Sequence, residues 1–260
     1  MPILQTKKLT RLFGGLSAVN GVSLHVEEGE LVGLIGPNGA GKTTVFNLLT
    51  GVYPPSAGEI YFQGESIAGL KPYQINQRGI ARTFQNIRLF KDLSVLDNVR
   101  IAYHQHVGYS LPGALLRSPA FYRGEEEMTC RALEFLDIFG LKERSREVAR
   151  NLPYGQQRRL EIARALAAKP RLLLLDEPAA GMNPQETQEL MSLIKWIRKE
   201  FALTILLIEH NMSLVMGVCE RIYVLDYGVV IAHGTPEEIR RDPRVIEAYL
   251  GEEVTINADD

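Results

Sequence analysis

Gly36-Pro37-Asn38-Gly39-Ala40-Gly41-Lys42-Thr43-Thr44 runs as a glycine, four residues, then Gly-Lys-Thr, and its flanks decide how it is read. Before it, Leu31-Val32-Gly33-Leu34-Ile35 is short and apolar enough to be a buried parallel strand. After it, Val45, Phe46, Leu48 and Leu49 fall as a helix from Thr43 to Thr50 would place them. A glycine-rich turn that merely joins strand to helix is the alternative, but strand, turn and helix together are the context of a phosphate cradle.

The residue types fit that chemistry. Glycines at Gly36, Gly39 and Gly41 let the backbone reach positive φ and approach an anion, so successive N–H groups and the helix N-terminus face phosphate oxygens. Lys42 adds a point charge for β- and γ-phosphates. The Thr43 hydroxyl is a hard ligand suited to Mg²⁺, and Thr44 reaches a second phosphate. Taken alone, the motif names a nucleotide and no particular reaction.

The 260 residues suffice for one large domain or a core with a smaller lobe. A hydrophobic share of 45%, a charged share of 23% and a formal net charge of −2 are ordinary for a globular chain and give no electrostatic case for nucleic acid. Arg158-Arg159, the densest basic pair of the middle region, lies among Gln156, Gln157 and Glu161 and reads as a solvated helix face. Cys130 and Cys219 are far apart and lack metal-spaced neighbours, which suggests neither a disulfide framework nor a zinc site. Met1 to Lys8 lacks the apolar run of a signal peptide, and no stretch approaches the ~18 apolar residues that span a bilayer. A membrane role therefore has to pass through a partner.

Ile3 to Phe13 and Val22 to Val26 alternate as antiparallel strands do, with turns at Gly14-Gly15 and Glu28-Gly29, and Gly58 to Phe62 reads as one more strand. Phe13 stands where its ring can stack on a base or simply close a strand-end core. A β-prone stretch from Ile80 ends at Gln85. From Ser94 to Ala168 the chain is mostly helical, broken by a loop-like Gly108 to Pro119. Phe121 to Gly140 is expected as an amphipathic helix with Cys130, Leu133, Leu136 and Phe139 on its apolar side. After Asn151-Leu152-Pro153-Tyr154-Gly155, a further helix carries Leu160, Ala163 and Leu166 on one face.

Leu172 to Leu175 then runs straight into Asp176-Glu177-Pro178. A buried strand ending in two acids, downstream of a phosphate loop, suits phosphoryl transfer: the first holds the water shell of Mg²⁺ and the second orients an attacking water. Pro184 to Phe201 is a helix capped by Asn183, and Leu203 to Ile208 is an apolar strand ending in Glu209-His210. His210 comes one helix after the acidic strand and so can reach the same strand-end face, unless it is only a surface histidine. Arg221 to Leu225 and Val229 to His233 read as strands around Tyr227-Gly228. Thr235 to Leu250 reads as short helices, with a polar tail of low order beyond.

In this order the pieces resemble the ATP-binding subunit of ABC transporters, over nearly the whole chain. The resemblance implies an α/β P-loop NTPase core (1–85 and 169–260) with an antiparallel β subdomain, and an inserted helical subdomain (86–168). It implies ATP and Mg²⁺ as cofactors, the metal held through Thr43, Gln85 and Asp176. Glu177 takes the role of catalytic base, Gln85 that of the glutamine loop and His210 that of the switch histidine. Phe13 matches the aromatic that stacks on adenine, and Leu152-Pro153-Tyr154-Gly155-Gln156 occupies the signature that usually reads Leu-Ser-Gly-Gly-Gln.

Thr83 to Phe90, Pro153 to Ala163, Ala179 to Pro184 and the ending Ala248-Tyr249-Leu250-Gly251-Glu252 are similar to the first of two ATP-binding subunits of high-affinity branched-chain amino acid importers. Urea or amide importers, a lipopolysaccharide exporter and non-transport ABC ATPases remain alternatives, whereas a G protein is disfavoured by the absence of an Asn-Lys-x-Asp stretch. The implied partners are a second ATP-binding subunit, two transmembrane permease subunits and a periplasmic or extracellular substrate-binding protein, at the cytoplasmic face of the inner membrane. Pro153 and Tyr154 stand where the family usually has Ser and Gly. Proline offers neither hydroxyl nor N–H, so the expectation is a heterodimer in which this chain's signature completes the weaker site, leaving the N–H groups of Gly155, Gln156 and Gln157 to face the anion.

Overall fold

The computed structural model describes residues 2–256 and divides into two units, residues 1–80 with 171–260 and residues 81–170. The last residues of the polar tail, 257–260, lie outside the described residues.

The first unit holds two sheets. In the antiparallel one, β1 (Leu4–Phe13) pairs with β2 (Leu16–Val22), β3 (His25–Val26) and β5 (Ala57–Phe62), and β5 pairs with β6 (Glu65–Ser66). The strand expected from Val22 to Val26 is therefore split, and Leu16–Val22 forms the return arm of a hairpin instead. Thr6 explains the break: its hydroxyl donates to Val22 O and accepts from Leu24 N, replacing ladder bonds there.

The second sheet has the order β11 (Val229–Gly234), β10 (Arg221–Asp226), β4 (Leu31–Ile35), β9 (Thr204–Ile208), β8 (Leu172–Asp176), with β7 (Ile80–Arg82) last, at Ile80. Strands β10, β4, β9 and β8 run parallel. β4, β8 and β9 are buried along their whole length, as continuous apolar runs between covering layers must be. The helices of this unit are α1 (Lys42–Leu49), α2 (Pro72–Gln77), α7 (Pro184–Glu200), α8 (Met212–Val218), α9 (Pro236–Arg241) and α10 (Pro243–Ile256). α10 carries helix through residues expected to belong to the tail. Asn183 caps α7 by accepting from Glu186 N, with Glu186 returning the bond to Asn183 N. Cys219 is buried, which pushes its thiol up to about 12 and leaves it unreactive.

The second unit is built on α3 (Val95–Tyr103), α4 (Leu111–Leu115), α5 (Pro119–Ile138) and α6 (Tyr154–Ala167). The stretch expected as loop from Gly108 to Pro119 contains α4, started by the Ser110 hydroxyl accepting from Gly113 N. On α5 the buried side runs Gly124, Met128, Ala132, Phe135, Leu136. Cys130 is exposed rather than apolar-facing, because two residues on from Met128 is about 200° around the helix.

Candidate nucleotide-binding site

Register sets the site. Leu34 pairs with Ile208 and Asp176 pairs with the same Ile208, so the C-terminal ends of β4, β9 and β8 finish in one row. Neighbouring strands lie about 4.8 Å apart. The segments leaving these strands therefore emerge on one edge: the phosphate loop after Ile35, Glu177 after Asp176, Glu209 and His210 after Ile208. That edge is where ligands of open parallel sheets bind.

The loop conformation requires its glycines. Gly36, Gly39 and Gly41 have φ of 149°, 77° and 98°. A Cβ on Gly36 would sit 1.9 Å from Leu225 O, and one on Gly41 2.4 Å from Ala18 O. Pro37 and Ala40 are buried, while Asn38 and Gly39 face outward. Lys42 is buried and donates from Nζ to Gly36 O and Pro37 O, both at 2.7 Å, which holds its charge over the loop. Gly41 precedes α1 as its cap, so the first-turn amides, Thr43 and Thr44 among them, have no acceptor within the helix and are available to an anion. Thr43 is exposed and Thr44 half-buried. Phe13, at the end of β1, is 38% exposed, with the Arg11 guanidinium 4.7 Å and the Tyr53 ring 5.2 Å from its centroid. A flat, partly open aromatic face of this kind suits a base.

Asp176 and Glu177 are both buried. Glu177 adopts φ 47°, a left-handed conformation that strains a residue with a side chain. Its amide donates to Ile208 O at 2.9 Å, and its Oε1 lies 2.6 Å from His210 Nε2. An ionised carboxylate only accepts, so this contact is a hydrogen bond in the form of His210 that has its N–H on Nε2. The His210 side chain is 41% exposed, so this pair opens to solvent on one side.

Glu209 has no role legible from its sequence position, yet it is 4% exposed and central to the edge. Its Oε1 accepts from Ala179 N at 2.9 Å and its Oε2 from His210 N at 3.2 Å. Burial pushes its carboxyl above the usual carboxylate range, helped by the charge of Glu177 and opposed by the N–H groups of Ala179, His210 and Asn211. The available signal is its place, a carboxylate at the end of an all-apolar strand.

Gln85, Gly155 and Gln156 lie in the second unit. Gln85, expected to close the first part, falls in the second, where Arg158 holds its backbone. Arg158 is wholly buried, which corrects the reading of Arg158-Arg159 as a solvated face. Its guanidinium donates to Phe84 O and Gln85 O at 2.6 Å each, to Glu161 Oε2 at 2.9 Å and to Tyr154 OH at 3.2 Å. Glu161 Oε1 in turn accepts from Arg88 N at 3.0 Å. At the start of α6, Gln156 N and Gln157 N donate to Pro153 O at 3.0 and 2.9 Å. These two amides are thus engaged inside the helix, against the expectation that they face an anion. Tyr154 and Gly155 supply the amides that the helix leaves without an internal acceptor.

A parallel sheet with a glycine cradle, a buried lysine and a strand-end acid facing a histidine on one edge defines a nucleotide-binding P-loop protein. The ABC transporter model matches residues 19–180, and the chain belongs to this family, whose ATP-binding proteins hydrolyse ATP to power transport. A model for branched-chain amino acid ATP-binding cassette transporters matches residues 229–255. The chain is 52% identical to the high-affinity branched-chain amino acid transport ATP-binding protein BraF of Pseudomonas aeruginosa, over 96% of this chain and 98% of that one. It is 53% identical, with the same coverage, to the corresponding protein LivG of Salmonella typhimurium. Among solved structures, the ADP conformation of MJ1267, an ATP-binding cassette of an ABC transporter, matches with a TM-score of 0.83 at 32% identity, covering 96% of this chain and 99% of the other.

Proposed function

We propose that this chain is the ATP-hydrolysing subunit of an importer of branched-chain amino acids, working beneath a membrane permease. The observation that carries the reading is full-length identity above one half to proteins named for that transport, supported by the match at residues 229–255. Among the described residues no helix is long and apolar enough to cross a membrane, so the permease supplies the path. The chain sits at the inner face of the plasma membrane, and a binding protein outside delivers the amino acid.

At the site, the phosphate loop from Gly36 to Thr44 holds the phosphates and Phe13 the base. Thr43 and Asp176 are the hard oxygen donors that fit Mg²⁺, an ion that keeps several waters and takes phosphate oxygens. An Mg²⁺ held by Thr43 and Asp176 would supply neutralisation of charge on the transferred phosphoryl group. Glu177 accepts the proton of the attacking water, and His210 fixes the Glu177 carboxylate by its Nε2–H and turns toward the γ-phosphate. Gln85 belongs to the segment that meets the permease.

Pro153 in the signature supports a heterodimer. A companion with a serine there faces this chain's Lys42 and Glu177, while Pro153 completes the weaker site. One lost hydrogen bond to a charged group costs about 1.5 to 3 kcal/mol, on the order of 10- to 100-fold in the closed state. The test is ATP hydrolysis and labelled leucine uptake by vesicles carrying permease and companion, with and without this chain. Expected are uptake only when all are present and hydrolysis well above that of the chain alone. Equal turnover by the isolated chain overturns the heterodimer, and uptake of urea or export of lipopolysaccharide in place of leucine uptake overturns the substrate.

A further inference from the structure

Two features of the acidic edge are otherwise unexplained. Glu177 is held in a left-handed conformation that its side chain disfavours, and a buried carboxylate, Glu209, points at backbone amides rather than at a cation. Strain at one residue persists only where its surroundings over-determine it. On the near side of Glu177, its own amide is tied to Ile208 O at 2.9 Å. On the far side, Ala179 N is tied to Glu209 Oε1 at 2.9 Å. The chain on both sides of Glu177 is thus pinned to adjacent residues of one strand end. The second oxygen of Glu209 takes the amide of His210, the residue whose ring meets Glu177 Oε1.

We propose that Glu209 is a positioning residue for hydrolysis: its two oxygens staple the loop after Glu177 to the backbone of His210 and so set the Glu177–His210 contact. The proposal rests on the reading of Glu177 and His210 as the hydrolytic pair. Both oxygens of Glu209 are taken by backbone N–H groups, so it acts through the residues it holds. A carboxylate suits the task because it accepts at both oxygens, whereas an amide accepts at one and presents N–H groups to the other donor.

The experiment measures ATP turnover and affinity for a labelled non-hydrolysable ATP analogue, using the full chain assembled with its transporter partners. Glu209→Gln is expected to lower kcat about tenfold or more with analogue affinity little changed, because the phosphate loop is untouched, and with a modest fall in melting temperature from the one buried N–H left without an acceptor. Glu209→Asp, which keeps two accepting oxygens, should recover part of the turnover that Glu209→Ala loses. In a His210→Ala background, Glu209→Gln should cost less than about twofold further, since residues acting as a unit are not additive. Parent-like kcat in Glu209→Gln, a full multiplicative loss on top of His210→Ala, or a joint fall of kcat, affinity and melting temperature each overturns the proposal. Where Glu209→Ala fails to fold, the isosteric Glu209→Gln carries the test. A Glu177→Gln chain that turns over like the parent overturns the underlying reading instead, whatever Glu209 does.

Discussion

Two of the molecule's close pairs of a carboxylate with a basic side chain are built to opposite specifications. In the first unit, Glu177 and His210 meet through one contact of 2.6 Å, with the histidine 41% exposed and the glutamate on strained backbone. In the second, Arg158 and Glu161 are shut away from solvent, and together they hold the backbone of Phe84, Gln85 and Arg88. A buried pair that also holds backbone on several sides is fixed where it stands. A pair with one side open to solvent can be reached by a substrate. The difference separates a side chain that reacts from one that holds a segment in shape, although both read as Glu beside a base.

Four variants break or sharpen that contrast. The largest effect is expected from Glu177→Gln, which keeps a hydrogen-bonding group but cannot take the proton of water. Loss of a general base costs about 10²- to 10⁴-fold in kcat, while analogue binding and the melting curve should stay near the parent. A hydrolysis assay beside an equilibrium binding assay reads both, and turnover within twofold would remove Glu177 from the reaction.

Arg158→Ala should behave in the reverse way. It leaves Glu161 buried without its partner, a change that costs about 3 to 5 kcal/mol of stability, read as a shift of the denaturant midpoint. Replacing both members, Arg158→Met with Glu161→Leu, should recover much of that loss, since apolar pairs of similar volume often match buried ion pairs. Failure to recover would locate the cost in the backbone bonds to Phe84, Gln85 and Arg88 rather than in the unpaired charge.

The smallest effect is expected in the stability of His210→Ala. A side chain this exposed, away from the core, contributes within about 0.5 kcal/mol, so the melting curve should be almost unmoved while turnover drops. A loss of stability comparable to that of Arg158→Ala would erase the distinction between the pairs.

Much of this is legible along the chain because it is contiguous. Leu31 to Ile35, the glycine loop and Lys42 onward carry their conformation in local residue types, and four leucines before Asp176-Glu177 mark a buried strand with acids at its end. Short helices leave no such trace. α2 and α8, at six and seven residues, are too brief for a 3.6-residue period to stand out. Arg158 misleads for a clear reason: two arginines among glutamines and a glutamate at helical spacing look the same whether the face meets water or the backbone of residues 84–88. Glu209 leaves only the mark of its place after an apolar strand, because a lone acid beside a histidine carries no spacing pattern that would give it a role.

The sequence by itself therefore determined the elements whose cause lies within a few residues: the cradle, the strand-end acids, the proline and asparagine that start α7. Only the tertiary structure decided that β9 lies between β4 and β8, which brings Glu209 and His210 beside Glu177, and that Arg158 turns inward. Strand order and side-chain burial depend on pairings between residues tens of positions apart. Their energies belong to the assembled sheet and core and to no single stretch of the chain.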